Sequence, residues 1–441
     1  MAASLVIRHS SLAAILLICP VLISFQALGL HAQHRERPNI VMIISDDQAW
    51  TDFGFMGHGV IRTPHLDRLA AESALFPNGY VPTSLCRASL ATLLTGLYGH
   101  QHKICTNDPP EGVSRETMLS FIQDVPTLPR MLAQSGYLSL QTGKFWEGHY
   151  SNGGFTHGMT TEGRHGGTGL VIGRETMQPI YDFIEAAGDK PFFLWYAPMM
   201  PHTPHRPPQR ILQKYMLPGR DVKLAQYFAM CEWFDETVGE LLAYIKDKGL
   251  RENTLVVFAV DNGWIQETGP VKTTRGPMAP KSKLSPYDGG VRTPIMLRWP
   301  GRVKPGRYYD LVSTIDLAPT ILAACNLEAT EEMPGLDLLE VAAGEQPRLS
   351  RDAVFGEIYV HTAVDVNEPA LNLTHRWIRN GDWKLIVPTD ENGSPELYNL
   401  VTDPLEERNL IGTDPEIILW LHENLKNFTS ALDDWWKVYP H

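Results

Sequence analysis

Cysteine is scarce in this chain: five residues among 441, of which only Cys86, Cys105, Cys231 and Cys325 follow the N-terminal leader. A disulfide scaffold is thereby excluded. Should Cys86 have a chemical task, the other three can form one bridge at most. Runs of lysine or arginine are missing too, and 38 basic residues against 50 acidic ones leave a formal charge of -12. Nothing in that pattern follows a phosphate backbone, so nucleic acid is not expected as a partner. Long apolar runs are confined to the leader, and the sequence carries no internal repeat or low-complexity tract. What is present, 43% hydrophobic and 20% charged residues, suffices for a large folded body with a smaller one attached.

The leader reads MAASLVIRHSSLAAILLICPVLISFQALGLHAQ. Arg8 precedes an uncharged stretch from Ser10 to Gly29, and small residues suited to cleavage surround Ala32, the pattern of a secretory signal peptide over residues 1–32. Pro20 interrupts the stretch and Ser, Gln and Gly dilute it, which favours cleavage over retention as an anchor. The mature chain is expected to be exported, to a periplasm, an organelle lumen or the extracellular space, without a stable membrane span.

Beyond the leader, short runs that are apolar on both faces read as strands of a sheet covered on each side: Ile40 to Ile44, Phe192 to Ala197 and Leu255 to Val260. Amphipathic stretches lie between them. In LAQYFAMCEWFDETVGELLAYIKDKG, Leu224, Tyr227, Phe228, Cys231, Phe234, Val238, Leu241, Leu242 and Ile245 recur at helical spacing, which makes Cys231 a core residue. Strands alternating with helices predict an α/β fold. After about residue 350 the runs shorten, as in HRWIRNGDWKLIVP and SPELYNLVTDPLEERNL, and an aromatic helix candidate ends the chain. The expected division is a catalytic domain over residues 33–350 and a C-terminal subdomain over 351–441. Gly/Pro-rich stretches at 151–168 and 265–290 read as functional loops.

Two of the strands end alike. NIVMIISDDQ closes on Asp46 and Asp47, and LVVFAVDNGW closes on Asp261 and Asn262. Ligands of an open α/β sheet sit outside the carboxyl ends of its strands, so parallel neighbours would bring these side chains to one place. Three crowded carboxylates repel unless a cation neutralises them, and an all-oxygen set favours calcium or magnesium. Any one such pair is more often a turn or a helix cap; it is the repetition that raises the metal reading. In VPTSLCRASLATLLTG, Arg87 onward reads as a helix with Leu90, Leu93 and Leu94 on its apolar side and Gly96 as its stop. Cys86 then lies in the first turn, where unpaired N–H groups favour a thiolate or a bound oxyanion. Taken alone, a buried cysteine there is more often a packing residue. Lys144 in SLQTGKFWEG, His202 and His205 in MMPHTPHRPP, and Lys283 in SKLSPYDGGVRTP sit in loops after strands. Each is ordinary by itself; at one sheet edge they form a candidate site.

Taken in order, NIVMIISDDQ, CRASLATLLTGLYGHQH, TGKFW, APMMPHTPH, VVFAVDNGW, KLSPYDGGVRTPIMLRWPG, VSTIDLAPTILAAC, GDWKLI and ELYNLVTDPLEERNL resemble the sulfatase family of the alkaline-phosphatase-like superfamily, from about Pro38 to Leu410. The resemblance implies a large, mostly parallel mixed sheet flanked by helices, with a smaller C-terminal α+β domain containing an antiparallel sheet. It implies one calcium ion held by Asp46, Asp47, Asp261 and Asn262, with the nucleophile at Cys86 as a further ligand. That nucleophile is not a thiol: a maturation enzyme oxidises the cysteine of C-x-P/A-S-R to formylglycine during export, and the hydrate attacks sulfur. Lys144 and Lys283 match the family's sulfate-binding lysines, and His202 matches the histidine near the leaving oxygen, a candidate general acid. Two positions depart from the pattern. Leu90 stands where the family has an arginine that contacts the nucleophile and helps the maturation enzyme recognise its target. Arg87 is no simple replacement, because neighbouring residues on a helix point about 100° apart. Trp146 occupies the place of a histidine in G-K-W-H, with His149 nearby.

The expected function is a secreted, calcium-dependent sulfatase acting on a carbohydrate sulfate ester, the substrate class being what the family implies. A second reading is a phosphodiesterase or phosphatase on the same scaffold, against which Cys86 and a single oxygen set count. A third is a degenerate sulfatase that keeps calcium and binds sulfated glycans; Leu90 and Trp146 favour it. Substrate contacts are expected from residues 151–168 and 265–282, with His157, Arg164, His165 and Arg275 as candidate anion contacts.

Overall fold

Strand β1 (Asn39–Ser45) is buried along its whole length. Its residues alternate between two covered faces: Ile40, Met42 and Ile44 enter one core, Val41 and Ile43 the other. Each such side chain, fully buried, stabilises the fold by about 1.5–3 kcal/mol. That preference fixes β1 in the interior of a sheet completed by β2 (Ala74–Phe76), β3 (Leu138–Gly143), β4 (His157–Gly158), β5 (Phe192–Ala197), β6 (Thr254–Val260), β7 (Ile295–Arg298) and β8 (Gly306–Arg307). The spatial order is β4-β3-β5-β1-β6-β7-β2-β8. From β4 to β6 neighbours run parallel, whereas β7 is antiparallel to both β6 and β2. This is the mixed, mostly parallel sheet expected from the sequence. The computed structural model describes residues 37–268, 278–390, 392–413 and 415–430; the signal-peptide stretch, Arg275 and the aromatic end of the chain lie outside them.

The helix Val222–Asp247 begins where Asp221 accepts hydrogen bonds from the Lys223 and Leu224 amides. Tyr227, Cys231, Phe234, Val238, Leu241 and Ile245 form its buried face, so Cys231 is a core residue. Cys86, Cys105, Cys231 and Cys325 are all buried.

Toward the C-terminus, β9 (Ala353–Tyr359), β10 (Leu373–Asn380), β11 (Trp383–Pro388) and β12 (Glu396–Asn399) form a four-stranded antiparallel sheet in chain order. One face joins the body through Val354, Ile358, Trp377 and Ile386, which pack with Tyr80, Val81 and Val291. From Pro38 onward the chain is one compact unit. Among the described residues, no helix is long and apolar enough to cross a membrane.

Candidate active site

The register of the sheet brings the two acidic strand ends together. Ser45 pairs with Val260 at the last step of β1 and β6, and the Asp261 amide donates to the Ser45 carbonyl at 2.9 Å. Asp46, Asp47, Asp261 and Asn262 therefore leave the sheet side by side, all buried. Asp261 Oδ1 accepts from the Asp47 amide at 3.0 Å, and Asn262 Nδ2 donates to Asp47 Oδ1 at 2.7 Å. On the other flank, β3 ends at Gly143, whose φ is 72° and where a Cβ would lie 2.0 Å from the Ala197 carbonyl oxygen. Only glycine fits this approach of β3 to β5, and it delivers Lys144 to Asp46, Nζ to Oδ1 2.8 Å.

Cys86 opens the helix Cys86–Thr95, which stops at Gly96 with φ 69°, as its sequence predicts. The Cys86 thiol lies 3.9 Å from Asp47 Oδ1, and Lys283 Nζ lies 2.9 Å from Sγ and 2.6 Å from Asp47 Oδ1. His202 donates from Nδ1 to the Thr203 carbonyl at 2.6 Å, so Nε2 faces Asp47 Oδ2 at 3.4 Å. Burial pushes the Cys86 thiol up to about 12 despite Lys144 and Lys283. It opposes ionisation of Asp47 as well, yet Lys283, His202 and Lys144 outweigh it and hold that carboxyl well below the usual range. Burial and the neighbouring Asp46 charge push Asp261 the other way, well above it. Burial and Lys144 lower the His202 imidazole. Such a split among adjacent carboxylates marks a crowded anionic site that a bound cation would relieve.

The donor set fits such a cation. Asp46 Oδ2, Asp47 Oδ2, Asp261 Oδ2 and Asn262 Oδ1 are buried without a hydrogen-bond partner, and a buried oxygen left that way costs about 1–3 kcal/mol. Four hard oxygens suit calcium or magnesium. Asp46, Asp47, Cys86 and His202 also present ligand atoms within 4.8 Å of one another; His202 Nε2 thus lies close enough to compete, but the unpartnered atoms are all oxygen.

Several sequence expectations are resolved by position. Leu90 is buried in the apolar cluster that includes Cys86. Arg87 does not replace the arginine missing there: its guanidinium is buried, forks onto Glu147 at 2.7 and 2.8 Å, and donates to the Thr106 and Met118 carbonyls. Arg164 and His165 line the cavity over Cys86, whereas His157 packs against Phe183 and His149 holds Ser151. His205 packs against Tyr227 and Trp264. Glu147, Asn107 and His361 were not read from the sequence, and no local pattern marks them; Asn107 accepts from the Arg87 amide at 3.0 Å, and with His361 it lines the same cavity.

A model of the sulfatase family matches residues 38–327. The chain belongs to the sulfatase family. A second model, for the C-terminal part of N-sulphoglucosamine sulphohydrolase, matches residues 282–431. The chain is 29% identical to the N-acetylgalactosamine-6-sulfatase of Canis lupus familiaris over 374 residues, covering 74% of this chain and 70% of that one. It is also 29% identical to the arylsulfatase A of Homo sapiens, over 90% of this chain and 88% of that one. Among solved structures, a protein in complex with its substrate D-glucosamine-2-N,6-O-disulfate superposes with a TM-score of 0.70 at 20% identity, covering 90% of this chain and 99% of that one. That likeness shows a shared fold. Family membership makes the strand-end cluster, rather than any other acidic group, the place to look for ester hydrolysis.

Proposed function

We propose that this protein is an exported, calcium-dependent sulfatase that releases sulfate from a sulfated carbohydrate through a formylglycine made at Cys86 by a maturation enzyme. One observation carries the reading: four buried oxygens without partners converge beside Cys86 and two lysines. Asp46, Asp47, Asp261 and Asn262 would hold the ion, with residue 86 as a further ligand. When bound, the calcium supplies positive charge beside the sulfate oxygens, and formylglycine supplies the nucleophile. Lys144 and Lys283 bind those oxygens and, already buried and aimed by Asp46 and Asp47, need no reorganisation as charge develops. His202 is the candidate general acid: the bond from Nδ1 to Thr203 fixes its ring so that Nε2 faces the site beside Asp47, and the proton for the leaving oxygen would have to be taken up at Nε2. A carbohydrate substrate is supported by relatives whose names specify sugar sulfates. The division at residue 350 has a role in this reading: residues 33–350 supply the strand ends, and residues 351–441 buttress them.

The test is the chemical state of residue 86 in protein made with a maturation enzyme. The expected result is an aldehyde in the tryptic peptide, calcium-dependent release of sulfate from sulfated sugars, and weaker release from the matching phosphate esters. Free thiol throughout, with no sulfate released from any ester, would sink it. One observation favours a second reading, a glycan-binding protein that keeps calcium without turning over: Leu90 is buried in the core and Arg87 is committed to Glu147. Tight binding of a sulfated oligosaccharide that stays intact on long incubation would establish that reading instead.

A further inference from the structure

The cavity over Cys86 encloses about 600 Å3 and has two unlike walls. Trp264, Met278 and Leu284 form an apolar side, while Arg164, His165 and His361 form a polar one. Arg164 is fixed in place by contacts on several sides. Nε and Nη2 donate to the two oxygens of Asp108 at 2.7 Å each, Nη1 donates to His165 Nε2 at 2.8 Å, and the guanidinium carbon lies 4.9 Å from the centre of the Trp146 ring. Trp146 is the residue that departs from the family's G-K-W-H pattern, and its ring also carries Arg115 at 5.0 Å and Lys144 at 5.6 Å. His165 stands beside that ring, meeting Trp146 at 4.3 Å and His202 at 5.6 Å between centroids. His165 holds that place at φ 68°, as Asp47 and Leu284 on the same cavity hold φ 60° and 66°; such angles are uncommon for residues other than glycine.

From this arrangement we infer that the cavity has a second anion subsite, built on Arg164, and that the substrate carries a carboxylate or a further sulfate close to the sulfate that is released. The inference rests on the sulfatase reading for the identity of the first anion. The charges leave room for a second: Asp108 is a single carboxylate between Arg164 and Arg115, which reaches its Oδ1 at 3.2 Å. Three of the five N–H donors of Arg164 are spent on Asp108 and His165, which leaves a donor on each Nη. The guanidinium is pre-ordered by Asp108 and Trp146, so little side-chain entropy is lost when an anion docks. Distance along the wall is short, since His165 touches the ring of His202, which faces Asp47 beside Cys86. The second anion therefore belongs to the same sugar as the scissile sulfate or to the next one, with the apolar wall left for ring faces.

The test uses aryl sulfates that differ by one group: 4-nitrophenyl sulfate, 3-carboxyphenyl sulfate and benzene-1,3-diyl bis-sulfate. Hydrolysis and calorimetric binding are both measured, with wild type, Arg164→Gln and Arg164→Lys. Expected is tighter binding of the two dianionic esters by wild type, and a loss of about tenfold or more in Arg164→Gln for those esters alone, the scale of a charge-assisted hydrogen-bond pair. Arg164→Lys should recover part of that loss. The carboxylate and sulfate arms distinguish an acidic sugar from a multiply sulfated one. Equal effects on all three esters, or none on any, would overturn the inference. If wild type cleaves none of them, the binding comparison still decides the subsite, while the sulfatase reading is decided separately by the state of residue 86 and by sulfate release from sulfated sugars.

Discussion

Among the buried charge clusters of the described residues, two bear comparison, one at the ends of β1 and β6, the other where the Lys283 loop meets the C-terminal sheet. In the first, Asp46, Asp47, Asp261 and Asn262 each leave one oxygen without a donor, although Lys144 and Lys283 stand beside them. In the second, Asp288 has both oxygens engaged, by Lys384 at 2.9 Å, by Tyr80 at 3.1 and 3.2 Å, and by Arg292 at 3.5 Å. Glu406 meets Lys384 at 3.0 Å and accepts from the Asp288 amide at 2.6 Å. Burial is similar in both, so what separates them is degree: the second leaves one oxygen, Glu406 Oε1, without a hydrogen bond, and that oxygen sits 3.0 Å from the Lys384 ammonium. A network closed to that extent fixes geometry by itself. An open one is stable only with something added, which is why the first reads as a site and the second as its buttress. GDWKLI and DPLEERNL acquire a physical purpose in this light: they carry Lys384 and Glu406 to the loop that holds Lys283.

The sharpest way to break the comparison is to neutralise one acid in each cluster. Asp261→Asn keeps an oxygen for the Asp47 and Asn262 amides and removes a charge that the proposed cation would need. Activity should fall by about 10²–10³-fold, on the scale of losing one preorganised electrostatic partner, and the rise in melting temperature on adding calcium should vanish. Without calcium this variant should be no less stable than wild type, because crowding among carboxylates is relieved. A clear loss of stability in the calcium-free variant would mean that the strand-end cluster is already complete.

Lys384→Met makes the converse change. Lys384 is fully buried between Asp288 and Glu406, and removing one partner of such a pair costs about 3–5 kcal/mol. Chemical unfolding should show that loss with or without calcium. Adding Asp288→Asn should cost less than the two single changes summed, since the charge left stranded by the first is gone. Simple additivity would show that the closed network is not a unit.

These clusters were not equally legible in the sequence. Asp46–Asp47 and Asp261–Asn262 stand out because each pair directly follows a buried run, and parallel register then dictates that the ends align. The helix from Cys86 and its glycine stop are local as well, written in spacing and in one left-handed residue. Lys144, His202 and Lys283 were readable only as a group and through family resemblance. Pairs such as Asp108–Arg164, Arg87–Glu147 and Asp288–Lys384 leave no trace in periodicity, because their partners are set by how distant elements pack. Leu90 shows the same limit from the other side: the sequence gives the substitution, and only packing reveals that Arg87 is already committed elsewhere.

A looser link between the same two parts of the molecule should give the smallest effect, and it is best read through pH. Glu357 on β9 faces His100 Nδ1 at 2.8 Å, the Tyr359 hydroxyl at 2.7 Å and Arg376 at 3.9 Å, and its amide donates to the Pro82 carbonyl ahead of Cys86. Burial opposes its charge, but His100 and Arg376 outweigh that and hold the carboxyl down at about 2. The folded pKa is thus depressed below the ordinary value of 4.5. The stabilisation it brings is fully present above that ordinary value and fades as pH falls through the range down to about 2. Wild type should exceed Glu357→Gln by about 3 kcal/mol at neutral pH, as a shift of this size implies, and the gap should close on acidification. Measured unfolding curves that stay parallel from neutral to acid pH would show that Glu357 is held by shape alone, and that charge pairing between the C-terminal sheet and the segment entering Cys86 is confined to the Asp288 cluster.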